Sequence, residues 1–242
     1  MSYPVKGDFP RQDAKAIIFD LDDTLYPEYE FVLSGFKQVA RFIGARYGLS
    51  SGEIYHELVA GFDRGIRGRN FDVVLQMLGI HCDKAVIDEL VDLYRKHEPE
   101  ISLPKESEHV LSSLRERGYI LGMVSDGYLE TQINKVRGLR LETFLDAIIF
   151  TDTWGKEFWK PHKKAFEEVC RVLGIEGKDC CYIADNPIKD FKGARQCGMF
   201  SVQLLHWVKK DVADLDEEYL PDLILGKLED ILEVFHGVNS EP

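Results

Sequence analysis

With 242 residues, of which 45% are hydrophobic, 30% charged and 11% aromatic, the chain has the composition of a globular protein. Its length suffices for one full α/β domain plus a smaller one. A formal net charge of −12 argues against non-specific binding to nucleic acid or to an anionic membrane surface. No stretch approaches the roughly eighteen apolar residues of a membrane helix, and the N-terminal MSYPVKGDFPRQDAK lacks the apolar core of a signal peptide. The five cysteines (Cys82, Cys170, Cys180, Cys181 and Cys197) are an odd number and form no CxxC, so they read as reduced thiols of a cytoplasmic protein.

In chain order, the short bounded apolar run Ala16 to Phe19 predicts a fully buried strand. From Glu28 to about Lys96 the spacing turns helical: Phe31, Phe36, Val39, Phe42 and Ile43 recur at three- and four-residue steps, and Ile54, Leu58 and Phe62 continue them. The glycine- and arginine-rich GFDRGIRGRN (61–70) separates these helices from FDVVLQMLGI and DKAVIDELVDLYRKH. Pro104 then opens a helix ending at Gly118. After it strands and helices alternate: YILGMVS, a helix over 128–138, DAIIF, a helix over 161–173, CCYIAD, a helix over 187–197, then FSVQLL, DLIL and the amphipathic LEDILEVF. This alternation predicts a doubly wound parallel α/β sheet. The expected domains are an α/β core over 1–26 and 99–242, and a helical insertion over 27–98 placed after the first strand.

Ligands of parallel α/β sheets bind at the carboxyl ends of strands. Four such places carry polar clusters here. They are Asp20, Asp22 and Thr24 in DLDDT; Ser125-Asp126-Gly127; Lys160 in FWKP; and Asp185-Asn186 with Asp190 in IADNPIKD. The first and fourth supply hard carboxylate ligands that suit Mg²⁺, which would also neutralise the crowding of aspartates after the first strand. Ser125 offers a hydroxyl, the amides of Asp126 and Gly127 stand where the next helix begins, and Lys160 adds a point charge. Together they describe a phosphoryl-transfer site with a carboxylate nucleophile.

In these four clusters the sequence resembles the haloacid dehalogenase (HAD) superfamily of aspartyl-phosphate enzymes. DLDDT matches its DxDxT motif, Ser125 its second motif, Lys160 its third and DNPIKD its acidic fourth, in order along residues 16–205. The resemblance implies a Rossmann-like core with a C1-type helical cap. It also implies a Mg²⁺-dependent phosphatase for a small phosphorylated metabolite, with the cap excluding water during the reaction. It makes Asp20 the nucleophile and Asp22 the general acid and base. The side chains of Asp20 and Asp185 and the carbonyl of Asp22 would bind the metal, with Asn186 and Asp190 orienting its ligands or waters. Ser125 and Lys160 would grip phosphoryl oxygens, the amides of Asp126 and Gly127 would add to that site, and Thr24 would support the first loop. Asp126 stands where the family often has Asn, and His162 where a small or acidic residue is frequent.

Each cluster taken alone has a plainer reading: DNP could be only a helix cap, and Ser125-Asp126-Gly127 only a turn. On an extended chain Asp23 points away from Asp20 and Asp22, so it reads as a loop residue without a catalytic role. Arg64, Arg67 and Arg69 are a solvated turn, or else a cap loop that binds a second acidic group of the substrate. Trp154, Phe158 and Trp159 either wall the pocket or simply pack. His56, His81, His97, His109, His206 and His236 form no metal-ligand spacing. A phosphosugar mutase shares the same core motifs, and a non-catalytic module of the same fold is the alternative from another class. The substrate, the pathway and the oligomeric state are not encoded in any of these patterns.

Overall fold

The computed structural model describes residues 14–81 and 83–238. Cys82 and most of the N-terminal segment discussed above lie outside the described residues. By contact the chain divides into two compact units. The first takes in Met1–Pro27, Ser102–Gln132 and Leu139–Pro242; the second takes in Glu28–Ile101 and Ile133–Gly138.

The first unit is built on six parallel strands: β1 (Ala16–Phe19), β2 (Ile120–Ser125), β3 (Ala147–Phe150), β4 (Cys180–Ala184), β5 (Phe200–Leu204) and β6 (Leu223–Leu225). Their spatial order is β3-β2-β1-β4-β5-β6. The chain therefore winds outward from β1 in one direction, returns, and winds outward in the other. The order reverses between β1 and β4, where such folds open a crevice at the carboxyl ends of the strands. Register brings those ends into step, since Phe19 faces Met123 of β2 and Ile183 of β4. Asp20 N donates to Ile183 O at 2.9 Å, carrying the ladder one residue past the strand.

β1 is buried along its whole length, which is why an uninterrupted apolar run forms it. On one face Ala16, Ile18, Tyr182 and Ala184 pack with Phe166 and Val169, and with Phe191 and Ala194. Those four come from α7 (Lys164–Leu173) and α8 (Pro187–Gln196), numbered in chain order with the helices below. α7 begins three residues later than the spacing suggested, because residues 161–163 form a turn after a cis Lys160–Pro161 peptide. The unit also contains α5 (Lys105–Glu116) and the first residues of α6 (Leu129–Gly138). The C-terminal amphipathic stretch forms one 3₁₀ turn and the four-residue α9 (Ile231–Val234). Buried Ser107, in the first turn of α5, donates from Oγ to the carbonyl of Leu25 at 2.6 Å. That bond ties together the points where the chain leaves this unit and returns to it.

The second unit contains α1 (Glu28–Tyr47), α2 (Ser51–Asp63), α3 (Asn70–Met77) and α4 (Lys84–Lys96). Ser50 and Asp83 cap α2 and α4 by accepting from Glu53 N (3.3 Å) and Val86 N (3.0 Å). The three- and four-residue spacing turns Phe36, Val39, Ile43, Ile54, Leu58, Val74 and Leu90 into one apolar core. A buried imidazole joins these helices. His97 Nδ1 lies 2.6 Å from Tyr94 O, an acceptor, so Nδ1 carries the proton. Nε2 then accepts from Ser34 Oγ at 3.0 Å, and the same hydroxyl accepts from Glu100 N at 2.8 Å. Burial lowers the pKa of His97 despite the carbonyl at Nδ1, so the ring is held neutral. Among the described residues no helix is long and apolar enough to cross a membrane.

Candidate active site

All four polar clusters lie on the first unit, at the strand ends on either side of the switch point. Asp20 follows β1, Ser125 ends β2, Asp185 follows β4, and Lys160 sits on the loop between β3 and α7. Loops at neighbouring ends of a parallel sheet converge, so residues up to 170 positions apart become neighbours.

At the centre is an ammonium with three acceptors. Lys160 Nζ donates to Asp190 Oδ1 at 2.6 Å, to Asp20 Oδ1 at 2.7 Å and to the Tyr182 hydroxyl at 3.1 Å. An ammonium has three protons, and each has a partner here. Tyr182 in turn donates to Asp190 Oδ1 at 3.1 Å. Burial would lower the pKa of Lys160, but Asp190 and Asp20 outweigh it and hold the group well above its usual range. Tyr182 belongs to this site, although the sequence places it only within the strand CCYIAD.

Asp20, Asp185 and Asp190 offer carboxylate oxygens that all lie within 4.8 Å of one another. Burial pushes the Asp20 carboxyl up to about 8, with Asp190 and Asp185 adding to the push and Lys160 opposing it. Asp185 is also raised, by burial first and then by Asp190, against the opposing charge of Lys210. Three hard oxygen donors this close suit a divalent cation. Asp190 is completely buried, and its Oδ2 accepts from Asn186 N at 3.0 Å, which fixes the turn into α8. Asn186 stands at the N-cap of α8, as the plainer reading of DNP has it, but its side chain makes no capping bond.

Among the described residues, the hydroxyls of Thr24 and Ser125 are buried and have no hydrogen-bond partner. Such groups are costly unless something satisfies them. Gly127, at φ 131°, adopts a conformation L side chains rarely reach, and a Cβ there would lie 2.5 Å from Gln132 Nε2. Gln132 matters because its Nε2 donates to Asp22 Oδ2 at 3.0 Å, while Tyr26 OH donates to Asp22 Oδ1 at 2.8 Å. Both oxygens of Asp22 are thereby oriented, and its side chain stands apart from the acidic triad.

The side chain of Asp126, where the family often has Asn, is engaged within the protein. Its Oδ1 accepts from Thr151 Oγ1 at 2.7 Å and from the backbone N of Lys160 at 3.0 Å. It therefore braces the loop that carries the central ammonium. Gly193 permits the same loop to rest on α8, since a Cβ there would come within 2.6 Å of Pro161 O.

Asp23 is not remote from the site. The extended-chain alternation stops with β1 at Phe19, and residues 21–26 form a turn in which Asp23 takes φ 57° and its N donates to Tyr26 O at 2.9 Å. Its charge adds to the upward push on Asp185.

Of the aromatics flanking Lys160, Trp159 donates from Nε1 to Asp152 at 3.0 Å, and Trp154 packs against the core. In the second unit, Arg67 donates to the carbonyls of Phe62 and Ile66, with its guanidinium 3.4 Å from the Phe62 ring centroid. It borders a cavity of about 370 Å³ that Phe36, Phe62, Asn70 and Tyr94 also line.

A model of the haloacid dehalogenase-like hydrolases matches residues 17–204. The chain is 29% identical over 228 residues to the glyceraldehyde 3-phosphate phosphatase of Methanopyrus kandleri, covering 91% of this chain and 96% of that one. It is 26% identical to the phosphoserine phosphatase of Thermus thermophilus, covering 94% and 85%. Among solved structures, the magnesium-bound HAD-hydrolase YfnB of Bacillus subtilis superposes with a TM-score of 0.64 at 19% identity, covering 94% of this chain and 99% of that one. That likeness concerns the fold.

Proposed function

Because the chain belongs to the haloacid dehalogenase-like hydrolases, we propose that it is a Mg²⁺-dependent phosphatase of a small phosphorylated metabolite, working through an aspartyl-phosphate on Asp20. The observation that carries this reading is the arrangement around Asp20. One side of its carboxylate is held by a buried lysine, and carboxylate oxygens of Asp185 and Asp190 lie within 4.8 Å of it, while the buried Ser125 ends the neighbouring strand β2. Phosphatase relatives that align over nearly the whole chain support the same chemistry.

In this reading Asp20 attacks phosphorus as the bond to the leaving oxygen breaks, and Asp22 gives that oxygen its proton. Asp22, now a carboxylate, takes a proton from water; the water oxygen attacks phosphorus and the bond to Asp20 breaks. Inorganic phosphate leaves, and both aspartates return to their starting states. Tyr26 and Gln132 aim the Asp22 carboxyl for both transfers. Ser125, Thr24 and the amides after β2 hold the phosphoryl oxygens. Lys160 keeps Asp20 oriented and offsets its charge. Mg²⁺, held by the Asp20 and Asp185 side chains and the Asp22 carbonyl, would supply positive charge to the phosphoryl oxygens. Four free thiols among the described residues agree with a cytoplasmic setting.

The test is phosphate release from a panel of small phosphate esters, including glyceraldehyde 3-phosphate and phosphoserine, with Mg²⁺ and with chelator. Turnover should need Mg²⁺ and be abolished in Asp20→Asn with the circular dichroism spectrum unchanged. Undiminished turnover in Asp20→Asn would remove the nucleophile.

A further inference from the structure

Lys210 belongs to none of the four motif clusters. It lies between β5 and β6, and its Nζ donates to Asp185 Oδ2. Its backbone is fixed as well. The side chain of Gln203, fully buried on β5, donates from Nε2 to the Lys210 carbonyl at 2.9 Å and to the Asp185 carbonyl at 3.3 Å. One amide therefore ties the loop carrying Lys210 to the strand end carrying the acidic triad.

The charges in the triad divide unevenly. Lys160 spends its protons on Asp20, Asp190 and Tyr182, so Asp185 takes its ion pair from Lys210. A carboxylate this buried needs a counter-charge in every state of the protein. A divalent cation on the same carboxylate would supply that charge, and would repel an ammonium already bonded there. We propose that Lys210 is the resident counter-ion of the metal site: it neutralises Asp185 before metal arrives, competes with the metal for that carboxylate, and so sets the metal affinity. This rests on the metal assignment made under Proposed function. Beside Lys210 a cavity of about 210 Å³, lined also by Leu205, Lys209, Asp211 and Val212, offers room for the side chain once it leaves Asp185. The arrangement keeps the metal exchangeable without leaving its ligand uncompensated.

The experiment is calorimetric titration of Mg²⁺ into the full chain without substrate, for the wild type, Lys210→Met, Lys210→Arg and Asp185→Asn. Lys210→Met should bind Mg²⁺ about tenfold more tightly, a change of the size that neighbours of metal ligands produce, while Lys210→Arg should stay near wild type. Without metal Lys210→Met should melt lower, and Mg²⁺ should raise its melting temperature by more than it raises that of the wild type. If Lys210→Met does not fold without metal, Lys210→Gln refolded in Mg²⁺ and then dialysed serves the same titration. Unchanged or weaker Mg²⁺ binding in the neutral variants would overturn the competition. Mg²⁺ binding that survives intact in Asp185→Asn would instead overturn the metal assignment, which separates the two failures.

Discussion

Replacing Tyr182 by Phe removes a single oxygen from the centre of the site. The ring stays, with its edge-on contact to Phe166 at 4.9 Å between centroids, so core packing is preserved. Two hydrogen bonds disappear, both to charged groups: the one accepted from Lys160 and the one given to Asp190, each 3.1 Å long. The ammonium then has three protons and two of its former acceptors, on a side chain that is only 2% exposed. A hydrogen bond to a charged group contributes about 1.5–3 kcal/mol, and an orphaned buried donor costs a similar amount. Asp190 and Asp20 can tighten on the ammonium and recover part of this, so the expected loss is about 3 kcal/mol. For a chain of this length that corresponds to a fall of about 6–12 °C in melting temperature. All three tryptophans (Trp154, Trp159 and Trp207) lie in the first unit, so urea unfolding followed by tryptophan fluorescence reports on the right part of the molecule. Tyr119→Phe is the matched control, losing one bond from Gly237 N at 3.2 Å and about 1 kcal/mol. A Tyr182→Phe protein within about 0.5 kcal/mol of wild type would refute the idea that the hydroxyl completes the lysine's coordination.

Two further substitutions test bracing and titration. Asp126→Ala should lower kcat about tenfold by freeing the Lys160 loop, whereas Asp126→Asn keeps an acceptor oxygen and should remain close to wild type in steady-state kinetics. His97 has a folded-state pKa below its ordinary value of 6.5, so the unfolded chain binds the extra proton more readily. Its contribution to stability is complete above that pH and is lost as pH falls through the window beneath it. Urea midpoints followed by far-ultraviolet circular dichroism should therefore fall below about pH 6.5 in the wild type, and less steeply in His97→Gln.

Most of the sheet could be read directly from the amino acids, for a physical reason. A parallel strand buried on both faces must be an apolar run, and AIIF, ILGMVS and CCYIA have few other places to go. The polar residues at their ends stand out against that background, so Asp20, Ser125 and Asp185 were identifiable before any geometry was known. What stayed hidden were the partners. Tyr182 occupies a core position in β4, and nothing in its spacing separates a packed ring from one whose hydroxyl meets an ammonium. Gln132 reaches Asp22 across 110 positions of sequence. Lys210 and Gln203 meet Asp185 only because β4 and β5 are neighbours. Asp126 stands where the family often has Asn, and only the structure shows that its two hydrogen bonds anchor the Lys160 loop. Asp23 does lie in a turn, as the sequence suggests, but strand alternation is no guide to its direction, because the backbone has already turned beyond Phe19.

The bond from Ser107 to the Leu25 carbonyl has a consequence for how such a protein can change over generations. It pins the exit and the return of the chain from within the sheet-bearing unit. Closing a longer excursion between two fixed points costs only about 0.6 kcal/mol for each doubling of its length. The roughly eighty residues between Leu25 and Ser107 are therefore a segment that evolution can lengthen, trim or replace at small energetic cost, while the chemistry at the strand ends stays in place. An engineer could exploit the same anchor by grafting a different helical segment between these two residues.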